Sequence, residues 1–536
     1  MKSQIKNMQV LNQTIIKMKY NHHNQHTNCR IKWKNVLVLI TLIFTLYSCE
    51  NEFIPVDIEE PEIHVDTAYL SLNIDLNTYG MTRGYEGETQ GTAEENHVEQ
   101  VRLVLYDGDH ATSKVVKCFD YNIRTNTDGS TAAWVDHSIQ GKDLASTTSQ
   151  NDKTQFITYA RKVPAADLKM LVIINAPPKL KVLTQEGSSY QLITQGIEIE
   201  NGTLKTDVVG GLAQPNYFLM TSGPGLINIP KIKLKATIRE AHNDPVSAVV
   251  GRVVSKVTLQ SSDGSDIFPT KNNAEVTGIQ WELDITNRHT YWIAKGTPDA
   301  NREQWYWEDP NYTGYGTLTF YQRQQQFFYF ASLTNPYPQF KKRIKESEYC
   351  LENTMDEADQ NCDNVITRIL IRCIYKPVNV HTTGESFYVY DGRTYNLEEM
   401  KEYAKEAETL PESLLTGLYK TLKDASGEGY SFLTGIPVKN NKEITESFAF
   451  KGITYYYKGI TYYGIKIRHR GTNDISPGYA HYGVLRNTHY TITVDQIDGP
   501  GSPGILWDDL NPRAVSNGDS WHNSLYNNIH TNIQIE

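Results

Sequence analysis

The last twelve residues read LYNNIHTNIQIE, and they alternate. Leu525, Ile529, Ile533 and Ile535 take odd positions; Tyr526, Asn528, His530, Asn532, Gln534 and Glu536 take even ones. A period of two puts one apolar and one polar face on an extended strand. Chain ends ordinarily fray, so an amphipathic strand at a terminus needs a sheet to lie on. Near the other end, YLSLNIDL (69–76) has the same pattern: Leu70, Leu72, Ile74 and Leu76 alternate with Ser71, Asn73 and Asp75. These two segments commit the chain to a β-rich fold.

Further strand-like runs fill the interval. VRLVLYD (101–107), LVIINAPP (171–178, stopped by prolines) and YFLMTS (217–222) precede a GPG punctuation at 223–225. IKLKATI (232–238), VSAVVGRVVSKVTL (246–259), NVITRILIRCIY (364–375) and YGVLRNTHYTITVDQI (482–497) follow it. KGITYY occurs twice, at 451–456 and 458–463, and reads as a strand pair or local duplication. A helix is predicted over NLEEMKEYAKEA, where Asn396 and Glu399 form a capping-box pattern. A second is predicted over SLLTGLYKTLKD. Residues 499–523, polar and containing Gly and Pro, read as an arm before the final strand.

The N-terminus reads as an export signal. Arg30, Lys32 and Lys34 flank an apolar run from Val36 to Tyr47, followed by Ser48-Cys49, the bacterial lipoprotein pattern. Lipidation is expected at Cys49, and Met18 is an alternative start. Residues 1–48 carry seven Lys/Arg and no Asp/Glu, which leaves 45 basic against 62 acidic residues, a formal −17 for the remainder. So acidic a body has no electrostatic footprint for nucleic acid.

Between the first two strands lies NTYGMTRGYEGETQGTAEEN (77–96), with one basic residue, Arg83, bracketed by Gly80 and Gly84. A glycine-rich hinge admits a protease, and a cut is expected between Arg83 and Gly84. Cys350 and Cys362 flank LENTMDEADQN, which reads as a solvated acidic loop, and are the candidates for a disulfide; closing such a loop contributes about 3 kcal/mol. Cys118 and Cys373 read as buried small side chains. No CxxC or calcium-loop spacing occurs, so neither a metal nor a cofactor is expected. No HExxH, GxSxG, P-loop or GxGxxG motif occurs, and no enzyme is indicated. His469, His481 and His489 read as structural. Tyr455–Tyr457, Tyr462 and Tyr463 read as core and cross-strand partners, with sugar stacking as the alternative.

The chain resembles the fimbrillins, the Bacteroidales type V pilus subunits, and among them the Mfa-type major shaft subunits. The resemblance rests on SCENEF, AYLSLNIDL with its TRG hinge, VRLVLYD, YCLENTMDEADQN, FYVYDGRTYNLEEMK, YYGIKIRH and YGVLRNTHYTITVDQIDGPGSP. It implies a mainly β fold of two transthyretin-like β-sandwich domains with one or two short helices in the second. It implies a signal peptide over 1–48, a lipidated pro-segment over 49–83, and sandwich domains over 84–223 and 224–536. It also implies an outer-membrane precursor anchored through Cys49, an arginine-specific protease that cuts after Arg83, and loss of the strand holding Leu70, Leu72, Ile74 and Leu76. Another subunit's C-terminal strand, with Leu525, Ile529, Ile533 and Ile535, would then fill the groove and build a surface fimbrium used in adhesion, alongside anchor and tip subunits. Glu50, Asn51 and Glu52 resemble the family's acidic surface-export signal. An anchor or tip subunit, or a glycan-binding surface lipoprotein, is the alternative.

Overall fold

Strand-forming segments meet as two β cores. The computed structural model describes residues 67–76, 91–125, 131–135, 155–199, 212–295, 306–330, 339–407, 422–470, 480–505 and 526–535, apart from a few short stretches within these ranges. All fall in the unit Val65–Glu536; the other unit, Met1–His64, lies outside the described residues.

The first part opens with β1 (Thr67–Leu70) and β2 (Leu72–Asp75), then β3 (Gln100–Tyr106), β4 (Val115–Thr125), β5 (Thr131–Val135), β6 (Gln155–Ile157), β7 (Arg161–Pro164) and β8 (Leu168–Ile174). It continues with β9 (Met220–Ser222), β10 (Ile227–Ile229) and β11 (Val246–Arg252). Nine of these form one sheet in the order β5-β4-β3-β8-β9-β11-β2-β6, with β10 on β8; β1 pairs with β7. Its core holds the buried side chains of Leu103, Leu105, Val172, Ile174 and Val250.

The second part contains β12 (Val254–Ser261), β13 (Glu275–Asp284), β14 (Ser347–Leu351) and β15 (Arg368–Lys376). There follow β16 (Phe387–Tyr390), β17 (Arg393–Asn396), β18 (Phe448–Phe450), β19 (Ile453–Tyr456), β20 (Ile460–Lys466), β21 (His489–Ile497) and β22 (Ile529–Ile535). A sheet β14-β12-β21-β22 and a sheet β13-β15-β20 enclose the second core. There Val257, Leu259, Ile492 and Val494 pack with Trp281, Ile371, Cys373 and Tyr463.

Several expectations change. The first core extends past 223–225 to Val254, Trp292, Ile293 and Leu351, and the second takes in residues from Val257 onward. The GPG is a turn inside the first sheet, because β9 and β10 on either side of it both pair with β8. IKLKATI is not a strand: Lys231–Lys233 is a 3-10 turn, and Thr237 caps the helix Ile238–Asn243 through a reciprocal capping box with Glu240. Short helices also occur in the first part, at Pro178–Leu183 for example. The two KGITYY copies do not pair. β19 joins the sheet β17-β16-β19-β18 and β20 joins β13-β15-β20, with Lys458 at φ 54 in the turn between them. The helix Leu397–Ala407 forms as read, with Glu399 N–H donating to Asn396 Oδ1 at 2.8 Å and Asn396 N–H to Glu399 Oε2 at 2.8 Å. The second predicted helix lies mostly outside the described residues, and Leu422–Lys423 within it is a short strand.

Candidate functional site

The β1–β2 segment is paired on both sides. β1 runs antiparallel to β7, and its other edge exchanges backbone bonds with Lys235: Tyr69 N–H to the Lys235 carbonyl at 2.8 Å and Lys235 N–H to the Tyr69 carbonyl at 3.0 Å. At Ser71 the chain crosses to the large sheet. Ser71 Oγ donates to the Thr158 carbonyl at 2.5 Å, and the Ser71 carbonyl accepts from Val246 N–H at 2.8 Å. β2 then lies between β11, parallel, and β6, antiparallel. The alternation seen in the sequence becomes burial: Leu70 (1%), Leu72 (0%), Ile74 (0%) and Leu76 (4%) face the first core. A segment near the start of the body thus fills an interior slot rather than capping an edge.

The C-terminal strand β22 is the edge strand of the second part's four-stranded sheet, antiparallel to β21. Ile535 sits opposite Tyr490, Ile533 opposite Ile492 and Ile529 opposite Ile497, with an irregularity between Val494 and Gln496. Ile535 is buried and Ile529 and Ile533 are half-buried against the second core. The strand in need of a sheet therefore finds one within its own chain. Its entry is fixed by Asn528 in a left-handed conformation (φ 63), whose side-chain amide donates to the Pro500 carbonyl at 2.8 Å. His530 Nε2 lies 2.9 Å from Asp498 Oδ2. Cys49, Arg83, Gly84 and Leu525 lie outside the described residues.

At the far end of the hinge stretch, Glu95 ties the two parts together, a role the sequence does not signal. Its carboxylate accepts from the Tyr349 hydroxyl and pairs with Lys256 Nζ at 2.9 Å, while Thr92 N–H donates to Oε2 at 2.8 Å. Burial alone would raise this carboxyl; the Tyr349, Lys256 and Thr92 bonds overcome it and hold it down at about 2. A depressed carboxyl adds stability that is complete above its ordinary value near 4.5 and is lost as pH falls toward 2. The melting-temperature gap between wild type and Glu95→Gln should therefore be widest above pH 4.5 and close as pH falls to 2. A gap independent of pH would refute this.

The remaining candidates resolve as structure. Cys350 and Cys362 are free thiols, which corrects the expected disulfide. Cys350 belongs to the second core, whereas Cys362 packs against a separate cluster of Ile285, Phe327, Tyr329 and Met355. The acidic loop between them is only partly solvated, with Glu357 and Asn361 exposed and Asp356 half-buried. Glu352, Asn353, Thr354, Asp359 and Gln360 are buried, with Glu352 paired to Arg486 Nε at 2.9 Å. Asp309 accepts from Thr354 N–H at 2.7 Å, and burial raises its carboxyl to about 8 despite that bond. Tyr455, Tyr456, Tyr462 and Tyr463 are buried, with Tyr456 and Tyr463 hydroxyls donating to the Gly501 and Gly499 carbonyls at 2.6 and 2.7 Å. His469 is buried, its Nδ1 lying 2.9 Å from the Tyr490 hydroxyl, and burial lowers it to about 4. Among the described residues no group of three His, Cys, Asp or Glu side chains is arranged to hold a metal ion.

Residues 454–535, which contain β20, β21 and β22, match the family described as Major fimbrial subunit protein type IV, Fimbrillin, C-terminal. Here the chain resembles the fimbrillins. The fimbrillin-like segment holds both the C-terminal strand and its partner β21. Comparison with curated protein sequences finds no match. Solved structures similar to the chain include a candidate cell adhesion protein of Parabacteroides distasonis: 13% identity, 88% of this chain, 99% of that one, TM-score 0.40. A fimbrilin of Porphyromonas gingivalis matches at 11% identity over 87% of this chain and 97% of that one, with TM-score 0.36. The tip fimbrial protein Mfa3 of Porphyromonas gingivalis matches at 10% identity over 88% and 99%, with TM-score 0.31.

Proposed function

We propose that this fimbrillin-like chain is a fimbrial shaft subunit that assembles by strand replacement. It is exported as a lipoprotein acylated at Cys49, held at the outer membrane, cut between Arg83 and Gly84 by an arginine-specific protease, and relieved of the segment that carries β1 and β2. The C-terminal strand of another copy then fills the slot. The reading assigns the chain no catalysis and no cofactor, and it makes anchor and tip subunits its further partners.

The observation that carries this reading is the pairing of β1–β2 on both edges with four apolar side chains in the core. Its loss opens a groove with bare ladders on each side, which an extended strand can fill by backbone pairing and pocket occupancy together. Leu525, Ile529, Ile533 and Ile535 supply an apolar set of the same alternation. Such contacts join unlike surfaces head to tail and propagate without closing. Four of the five tyrosines of that cluster are buried, Tyr457 excepted, which weighs against glycan stacking.

N-terminal sequencing of the surface-exposed protein tests the scheme, with a start at Gly84 expected. Arg83→Ala should remain uncut and monomeric, and a chain lacking residues 525–536 should be cut yet not polymerise. Normal fibres from either variant would refute the proposal.

A further inference from the structure

We propose that Tyr526 is a latch that holds the C-terminal strand on its own body until assembly. This rests on the donor-strand reading above and adds a positioning residue to it. Tyr526 lies three residues before β22 and outside the apolar set at odd positions, so a groove that accepts those side chains does not require it. Its contacts are with its own chain.

The Tyr526 hydroxyl is bonded to Arg368 Nη1. The Arg368 guanidinium carbon lies 5.9 Å from the ring centroid, and Lys466 Nζ lies 4.9 Å from it. Two cations thus converge on one aromatic ring. Both are fixed from behind: Arg368, 2% exposed, is bridged at 2.8 Å to Asp284, 0% exposed, and Lys466 is bridged at 2.7 Å to Asp363. The ring also packs against the cluster of Phe340, Leu370, Tyr462 and Ile505. Ile505 and Tyr526 thus meet in one apolar cluster.

The strand beyond the latch is held less firmly. β22 is an edge strand, and only Ile535 of its apolar residues is buried. Edge pairing of that kind opens readily. A ring wedged between two buttressed cations limits how often the whole C-terminal segment detaches. It therefore sets the supply of strands free to enter another subunit.

The test uses Tyr526→Phe and Tyr526→Ala. In the full-length Arg83→Ala background, which cannot mature, hydrogen exchange of the 529–535 amides reads the latch without assembly. We expect exchange roughly ten-fold faster in Tyr526→Ala, with Tyr526→Phe between it and wild type and the amides of β13 and β15 unchanged. In cut protein, the Ala variant should assemble with a lag several-fold shorter than wild type. Unchanged exchange in Tyr526→Ala would overturn the latch. Faster exchange with an unchanged lag would overturn its control of assembly. If cut wild-type protein makes no fibres, the donor-strand reading falls and takes that control with it, while the exchange result still decides whether Tyr526 holds the strand.

Discussion

Chains stripped of residues 67–76 will lose the first core while keeping the second. Leu70, Leu72, Ile74 and Leu76 are each at most 4% exposed and all belong to the first cluster. At about 1.5–3 kcal/mol each, their removal forfeits roughly 6–12 kcal/mol, an upper bound set against an extended chain. A domain's whole stability is of the same order, about 5–15 kcal/mol. Stripping also leaves β6 and β7 without a strand partner and β11 paired with β9 alone. Thermal unfolding should split, with an early transition or none for the first part and a near-native one for the second. A peptide spanning Ser524–Glu536 should restore the early transition, and the same peptide with Ile533→Asp and Ile535→Asp should not. Native melting of the stripped chain would show that the slot is dispensable and would remove the basis for strand replacement.

Glu352→Ala should be the most damaging single substitution in the loop read from sequence as acidic and solvated. Glu352 is fully buried and its partner Arg486 is 6% exposed, with 2.9 Å between them. Arg486 Nη2 also donates to Thr290 Oγ1 at 3.3 Å and to the Tyr291 carbonyl at 3.2 Å, so the guanidinium stays fixed when the carboxylate goes. A buried charge left without its counter-ion costs about 3–5 kcal/mol. The expected result is that loss in chemical denaturation of the second part, with Glu352→Gln milder because it keeps an acceptor. A loss below about 1 kcal/mol, the value of an exposed pair, would mean that Arg486 reaches water.

The strands that matter most here were legible because alternation is local. A residue two positions along points the same way whatever surrounds it, so Leu70 to Leu76 and Ile529 to Ile535 declare their apolar faces without help. The capping box of Asn396 and Glu399 was legible for the same reason, since both partners sit within one turn. Other readings failed where the deciding neighbour is far along the chain. The loop between Cys350 and Cys362 looks soluble until Arg486 and Asp309 are brought to it. The two thiols look like partners until their side chains enter different clusters. The copies of KGITYY look like a hairpin until a left-handed Lys458 sends them into separate sheets.

By itself, then, the sequence determined most of the strands, IKLKATI excepted, which face of the alternating ones is apolar, and that both ends of the body carry such segments, because those properties are written in spacing. Only the tertiary structure decided what each face meets. It set β1–β2 into an interior slot, laid β22 on an edge of its own sheet, and placed Tyr526 between Arg368 and Lys466. Those outcomes depend on pairing across tens to more than a hundred residues, where loop closure and competition among apolar faces choose the partner and no local pattern records the choice.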